Sequence, residues 1–424
     1  MTGLLILAVY IAVFVGAFFV VKFLIEKTAN DFTSLKTVTF GDESAVVSNR
    51  SASIVSVVTI FVLWGSFTGS SLLPGFLHAP GPFVGETTFT YTLEDSTGAT
   101  DDADVTVRVF DFGEDATDFE VEAGDGFALN DAVAMNASRT KTILFDKNDT
   151  AKRADGARVV AIDGAPISGD APVQNSNGRF ALTDKGAISY TPPLGLQMDP
   201  VYLPPPESVV SRFMEISSEG YRGYTLWTHL GYSLFRVIGG FFFGALLGIP
   251  LGYAMGLNGW FRGWFDPIVE FMRPVPPLAL IPLVIIWFGI GETGKIILLF
   301  LAALWIMAIA ARSGVSGVNI TKVHAAYSLG ASKWQIMRHV IIPNSLPEIF
   351  TGARVAMGVC WGTVVAAELV AASQGAGMMI MVASKFTLTD IVIMGIILIG
   401  VIGFGIDMLM RWVERILVPW KGRS

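Results

Sequence analysis

The sequence predicts an all-α polytopic membrane protein with an extracytoplasmic β-sandwich set into an early loop. Three observations carry this expectation. Only 15% of the 424 residues are charged and 52% are hydrophobic, with a mean hydropathy of +0.57; a soluble domain carries about 25% charged residues. Several apolar runs approach or exceed the roughly 20 residues that cross a bilayer. The segment 78–200 breaks the pattern, alternating Thr with aromatic and branched side chains and holding 21 acidic against 9 basic residues.

The first run, LLILAVYIAVFVGAFFVVKFLI at 4–25, has no basic segment before it and no small-x-small cleavage site. It is also too long for the apolar core of a signal peptide, so it reads as a retained spanning helix. Further spans are expected at 53–76, 229–256, 265–289, 293–313, 346–371 and 388–412. Positive charge orients them, because Lys and Arg accumulate in cytoplasmic loops. The basic groups are Lys22, Lys27, Lys36 and Arg50; Arg262; Arg312, Lys322, Lys333 and Arg338; and Arg411, Arg415, Lys421 and Arg423. One topology puts all four in the cytoplasm, with the N-terminus outside and the C-terminus inside. The same topology exports 78–200, whose net charge is −12 against +5 for the rest of the chain.

Within the acidic segment, TTFTYTLED places Phe89, Tyr91 and Leu93 on one face of a strand, and DVTVRVF does the same with Val105, Val107 and Val109. A polar loop joins them as a hairpin. GRFALTDKGAISYTPP holds a second hairpin around Asp184-Lys185-Gly186, and RVVAID and TKTILF supply more strands. An all-β sandwich is expected.

The third span carries Gly240, Gly244, Gly248, Gly252 and Gly256. A strict four-residue repeat leaves one helix face without side chains and lets another backbone approach closely. These glycines point to packing rather than to a ligand.

Candidate chemistry is sparse. GIGETGKI (289–296) nearly matches a phosphate-cradling loop, but Ile296 offers no hydroxyl where Ser or Thr would hold Mg²⁺, and no strand precedes it. A tight turn between helices is the simpler reading. Asn136 and Asn148 begin glycosylation sequons, short matches that read as chance. The loop Asp101-Asp102-Ala103-Asp104 lacks the alternation and glycine of a calcium loop and reads as a solvated turn. The four His show no metal spacing, and Cys360 stands alone, which excludes an internal disulfide and a Cys-based metal site. No catalytic constellation is present, so no catalytic residue, metal or cofactor is expected within the chain. Glu368, an acid in the apolar stretch VVAAELVAAS, is a functional candidate by its position, though an interfacial carboxylate near the helix end fits as well. Trp361 and Thr363 on the same helix join it as candidates for a pathway. Arg236 and Asp407 sit near helix ends and can snorkel.

One polar stretch interrupts the apolar runs: HAAYSLGASKWQIMRHVIIPNSLP at 324–347. Gly330 suits the position just past a helix, where positive φ is cheap. Ser332 can cap a second helix, with Gln335 completing a capping box. That second helix is expected to stop or kink at Pro343. Ala325, Ala326, Gly330 and Ala331 form a small-residue surface. The residues alone leave open whether it receives another protein or lies on lipid.

The spacing of this stretch resembles the EAA loop of ABC importer permeases: E-A-A, three residues, Gly, nine residues, then I-x-L-P. Here His324-Ala325-Ala326, Gly330 and Val340-Ile341-Ile342-Pro343 stand at the matching offsets, with His324 in place of the acid. DPVYLPPPESVV, EFMRPVPPLALIPLVIIWFGIGETGKI, RVAMGVCWGTVVAAELVAA and RILVPWKG are similar to the taurine and aliphatic-sulfonate branch, with nitrate-type permeases as relatives. The β segment resembles a bacterial cadherin-like or Ig-like repeat in rearranged order. The repeat's ending stands first, at 83–110, and its beginning follows, at 128–193, as in a circular permutation joined through 111–127.

The resemblance implies a permease of a type I ABC importer, with a six-helix core and one extra N-terminal helix, in the bacterial inner membrane. It implies an organisation of 1–52, an extra helix and cytoplasmic loop; 53–77, the first core helix; 78–200, a periplasmic β insertion; and 201–424, the permease core. Its coupling loop would be 324–343, with His324, Ala325, Ala326, Gly330, Ala331, Ser332 and Pro343 meeting the ATPase. The implied partners are two ATPase subunits that bind ATP and Mg²⁺, a periplasmic binding protein, a second copy of the chain and the lipid bilayer, with no nucleic acid. Taurine or another small sulfonate is the implied cargo, with nitrate or another small anion or organic nutrient as the alternative. An ion-driven secondary transporter, the reading from another class, would need paired ionisable residues at mid-membrane and inverted repeats.

Overall fold

The computed structural model describes residues 2–25 and 50–420. The chain divides into two compact units, Met1–Ser208 and Val209–Ser424. Lys27, Lys36, Lys421 and Arg423, four of the charges used to orient the chain, lie outside the described residues.

The first unit begins with two apolar helices in contact, α1 (Thr2–Ile25) and α2 (Arg50–Thr68). The helix expected over 53–76 ends eight residues early. Gly69 takes a left-handed φ of +62°, and a short 3₁₀ turn at Gly75–Leu77 follows Pro74. A chain that needs positive φ at one position and proline a turn later cannot stay helical.

The β part of this unit has two sheets. The first is ordered β3-β2-β1-β5-β6, and the second β4-β9-β8-β7. The strands are β1 (Gly85–Glu94), β2 (Thr100–Phe110), β3 (Asp131–Asn136), β4 (Lys141–Ile143), β5 (Arg158–Ile162), β6 (Ala165–Pro166), β7 (Val173–Asn175), β8 (Gly178–Leu182) and β9 (Ile188–Thr191). The alternation in β1 and β2 sets their register: Phe89 lies opposite Val105 and Thr87 opposite Val107. Phe89, Tyr91, Leu93, Val105, Val107 and Val109 from one sheet share a single core with Ile143, Phe180, Ile188 and Tyr190 from the other. The Phe89 and Phe180 rings meet edge to face at 4.6 Å. β2 and β3, adjacent in sequence, pair in parallel, with Val107 opposite Val133. Parallel neighbours need a long return connection, and residues 111–130 supply it without regular structure.

The second unit is helical: α3 (Pro206–Ser218), α4 (Leu226–Leu257), α5 (Gly259–Met272), α6 (Ile281–Phe288), α7 (Glu292–Ser316), α8 (Ile320–Ser328), α9 (Lys333–Ile336), α10 (Ile342–Ala371), α11 (Ala376–Lys385) and α12 (Thr389–Leu417). Among the described residues four helices are long and apolar enough to span a membrane, or five if the bent pair α5/α6 counts as one span. That pair corrects the straight helix expected over 265–289: it bends by 93°. Arg273-Pro274-Val275-Pro276-Pro277 lies at the bend, where three prolines remove backbone donors and Pro276, forced away from helical geometry by Pro277, is extended at ψ 132°.

α4 and α7 form the centre of this unit. Gly240, Gly244, Gly248, Gly252 and Gly256 all face α7. A Cβ on Gly248 would lie 2.7 Å from the Leu304 carbonyl oxygen, and one on Gly256 2.8 Å from the Val315 side chain. The two backbones therefore touch through a stripe where no side chain fits. α10 closes the same core with Ala353, Ala356, Cys360 and Val364 against Leu299, Ala303 and Met307.

Candidate functional site

Two constellations stand out in the second unit. The first is the polar stretch 320–347. Asn319 caps α8 by accepting from the Thr321 amide at 2.8 Å. The helix ends in a Schellman motif: Gly330 takes φ +83°, its amide donates to the Tyr327 carbonyl, and the Ala331 amide donates to the Ala326 carbonyl. Ser332 then caps α9, and its own amide donates to Gln335 Oε1 at 2.8 Å, completing the capping box. Two short helices thus meet at one glycine hinge. Pro343 does not end the second of them. A π-helical turn at Met337–Ile341, closed by the Ile342 amide donating to the Met337 carbonyl, precedes the proline, and the helix continues into α10. His324, Ala325, Tyr327, Leu329, Gly330, Ser332 and Trp334 are exposed. Leu329 is 88% exposed, so none of the described residues covers the hinge. Behind it Lys322 Nζ donates to Asn344 Oδ1 at 2.9 Å, tying the loop to the start of α10.

The second constellation is a buried charged cluster. His229, Ser233 and Arg236 share one face of α4 at helical spacing. Arg236 has no solvent exposure and donates to both oxygens of Glu292 at the start of α7, at 2.5 and 2.7 Å. Its third bond goes to Glu368 of α10 at 2.6 Å, and a fourth to the Gln374 carbonyl. Glu368 also accepts from Ser233 Oγ at 2.8 Å and from the Gly377 amide at 2.9 Å. The Gly375 amide donates to His229 Nδ1, so the His229 ring carries its proton on Nε2, facing the Tyr221 carbonyl. Lys295 Nζ donates to Glu292 Oε1 at 2.9 Å. A buried carboxylate is tolerable only when it is paired and hydrogen-bonded, and Glu368 is both. Gly375 is obligatory here, because its φ of +135° suits only glycine and any Cβ would collide with the Glu368 carboxylate.

The sequence-predicted residues thus separate. Glu368 is fully enclosed in an ion pair. Trp361 and Thr363 are buried too, and Trp361 Nε1 donates to the Ile399 carbonyl of α12 at 3.0 Å. Sequence reasoning set Arg236 aside as able to snorkel and did not notice Glu292 at all. The structure buries Arg236 completely and makes it the hub of the cluster. The available signal was the polar face His229, Ser233 and Arg236 on an otherwise apolar helix. GIGETGKI forms a turn into α7: Gly289 takes φ +74°, and Glu292 and Lys295 from the motif join the cluster rather than a phosphate.

Comparison with known proteins gives one family match. Residues 230–418 fit the family described as binding-protein-dependent transport system inner membrane component. The taurine transport system permease protein TauC of Escherichia coli is 47% identical over 226 residues, covering 53% of this chain and 82% of that protein. The putative aliphatic sulfonates transport permease protein SsuC of the same organism is 39% identical over 219 residues, covering 52% and 82%. Among solved structures, the MetNI methionine ABC transporter in an inward-facing conformation aligns with 45% of this chain and 97% of its own, at 18% identity and a TM-score of 0.40.

Proposed function

This chain belongs to the family of binding-protein-dependent transport system inner membrane components and is the permease component of an ABC importer; we propose that its cargo is taurine or another small sulfonate. It is a multi-pass membrane subunit and not itself an enzyme. ATPase and binding-protein partners follow from the family. In the proposed assembly two ATPase subunits, two copies of this chain and a periplasmic binding protein work together. The exposed hinge around Gly330 is the proposed coupling loop, with His324, Ala325, Ala326, Ala331, Ser332 and Pro343. Its uncovered Tyr327, Leu329 and Trp334 are the observation that supports a protein partner there. ATP would pull on this loop and bias the helix bundle between two packed states.

The proposed orientation puts the N-terminus outside, the C-terminus in the cytoplasm and 78–200 in the periplasm. The organisation proposed is 1–52, 53–77, 78–200 and 201–424, with 78–200 a β-sandwich inserted into the first external loop. We further read the β unit as a circularly permuted cadherin-like or Ig-like repeat. The parallel pairing of β2 with β3 supports this, since it sets the proposed last and first strands side by side.

Taurine as cargo rests on the 47% identity to TauC. The test is uptake into proteoliposomes holding the permease, its ATPase and its binding protein. Taurine should accumulate only with ATP inside the ATPase-accessible compartment, and nitrate should not compete. Accumulation of nitrate with no taurine uptake would overturn the reading.

A further inference from the structure

A cavity of ≈ 560 Å³ opens between the start of α7 and α11, a size typical of small-ligand sites. Glu292, Lys295, Lys385, Ser373, Met378 and Met381 line it. Its charges do not balance. In the cluster behind it, Arg236 and Lys295 offset Glu292 and Glu368. Lys385 is exposed, has no carboxylate partner among the described residues, and leaves one positive charge facing the cavity. Lys295 is 7% exposed, so the protein holds its ammonium in place at a fixed edge of the cavity. Met378 and Met381 supply soft apolar wall that suits a short alkyl chain.

We propose that this cavity is a cargo subsite of the permease itself, in which Lys385 and Lys295 hold a small organic sulfonate through its sulfonate oxygens. The proposal deepens the reading of the cargo as a sulfonate and rests on it. Lys385, Lys295 beyond its one bond to Glu292, and the Ser373 hydroxyl offer donors to the three sulfonate oxygens, and the wall keeps one net positive charge when Glu292 is counted. Because the cavity borders Glu292, an anion here lies next to the ion pairs that tie α4, α7 and α10 together.

The test is saturation-transfer NMR of taurine with the purified permease–ATPase complex and no binding protein. Saturable binding is expected, displaced by ethanesulfonate better than by inorganic sulfate, because sulfate cannot fill the methionine wall. Lys385→Gln should weaken binding by about fivefold or more, as expected for one lost charged contact. Lys385→Glu should abolish it, and Lys385→Arg should retain it within about twofold, since the charge remains. Sulfate displacing taurine as well as ethanesulfonate does would overturn the organic-sulfonate assignment. Wild-type binding by the Lys385→Glu variant, or no saturable binding by the unmodified complex, would overturn the site. Continued taurine uptake with binding protein in either case would leave the cargo reading standing, whereas loss of all sulfonate uptake by the wild type would end both.

Discussion

At the scale of single residues, burial decides what a charge can do. Arg236 holds two carboxylates, and removing it would leave Glu368 fully enclosed with only Ser233 and the Gly377 amide. Stranding a buried charge costs about 3–5 kcal/mol. Glu368→Gln removes a charge instead, while Arg236 keeps Glu292 and the Gln374 carbonyl, and should cost about 1–2 kcal/mol. Thermal unfolding in detergent should therefore rank Arg236→Met well below Glu368→Gln; the reverse order would refute the arrangement. Among acids outside the helices, burial raises both Asp149 and Asp131, and Asp131 is the one without full hydrogen bonding. Burial, and then the neighbouring Asp149, push it up to about 7, and its Oδ2 has no hydrogen-bond partner. A carboxyl raised above its unfolded value binds its proton more tightly when folded. Its stabilising contribution is complete below pH 4 and is lost as the pH rises through 7. Asp131→Asn should stabilise the β unit at pH 8 by about 1–2 kcal/mol, discounted from the full shift for partial exposure, and change little at pH 4. Pulse proteolysis of residues 85–191 in the full chain measures it, and a variant with unchanged pH dependence would contradict the assignment. Cluster membership was only partly legible in sequence. Glu368 stood out as an acid in an apolar run, while Arg236 looked like an ordinary helix-end charge and nothing local marked Glu292. Only the packing of α4 against α7 and α10 brings them together.

Secondary-structure elements were most legible where chemistry is local. Strand alternation around Phe89 and Val107, the cap at Ser332 and the hinge at Gly330 need only a few neighbouring residues, and each was readable directly. The bend at Arg273–Pro277 was written in three prolines, yet the apolar run on both sides outweighed them. The passage through Pro343 was illegible, because a π-helical turn is chosen by the whole helix and not by the proline. The connection 111–130 carries its own prediction. If it joins the natural ends of a permuted repeat, cutting it should leave the surrounding sheets standing. A protease site placed at 115–121 should, after cleavage, leave hydrogen-exchange protection at 89–93 and 105–109 within about tenfold of the intact chain. Collapse of that protection would mean the connection is part of the fold.

The whole molecule combines a helical unit fixed by a glycine-lined helix pair with a β unit whose two sheets share one core. Class and family were readable from apolar runs and one spaced loop, because a bilayer and the proposed coupling surface both impose short-range patterns. The relation of the β unit to transport was not, since its net charge of −12 fits docking a binding protein, shielding the outer mouth or spacing it equally well. The hinge at Gly330 is the proposed point where ATP hydrolysis reaches the permease. Co-purification of the ATPase subunit with the membrane chain tests this most directly. The wild-type chain should bring the ATPase down. Gly330→Asp, which places a side chain at φ +83° and a charge on the uncovered surface, should release it and abolish uptake. A Gly330→Asp chain that retains the ATPase and transports normally would contradict the account.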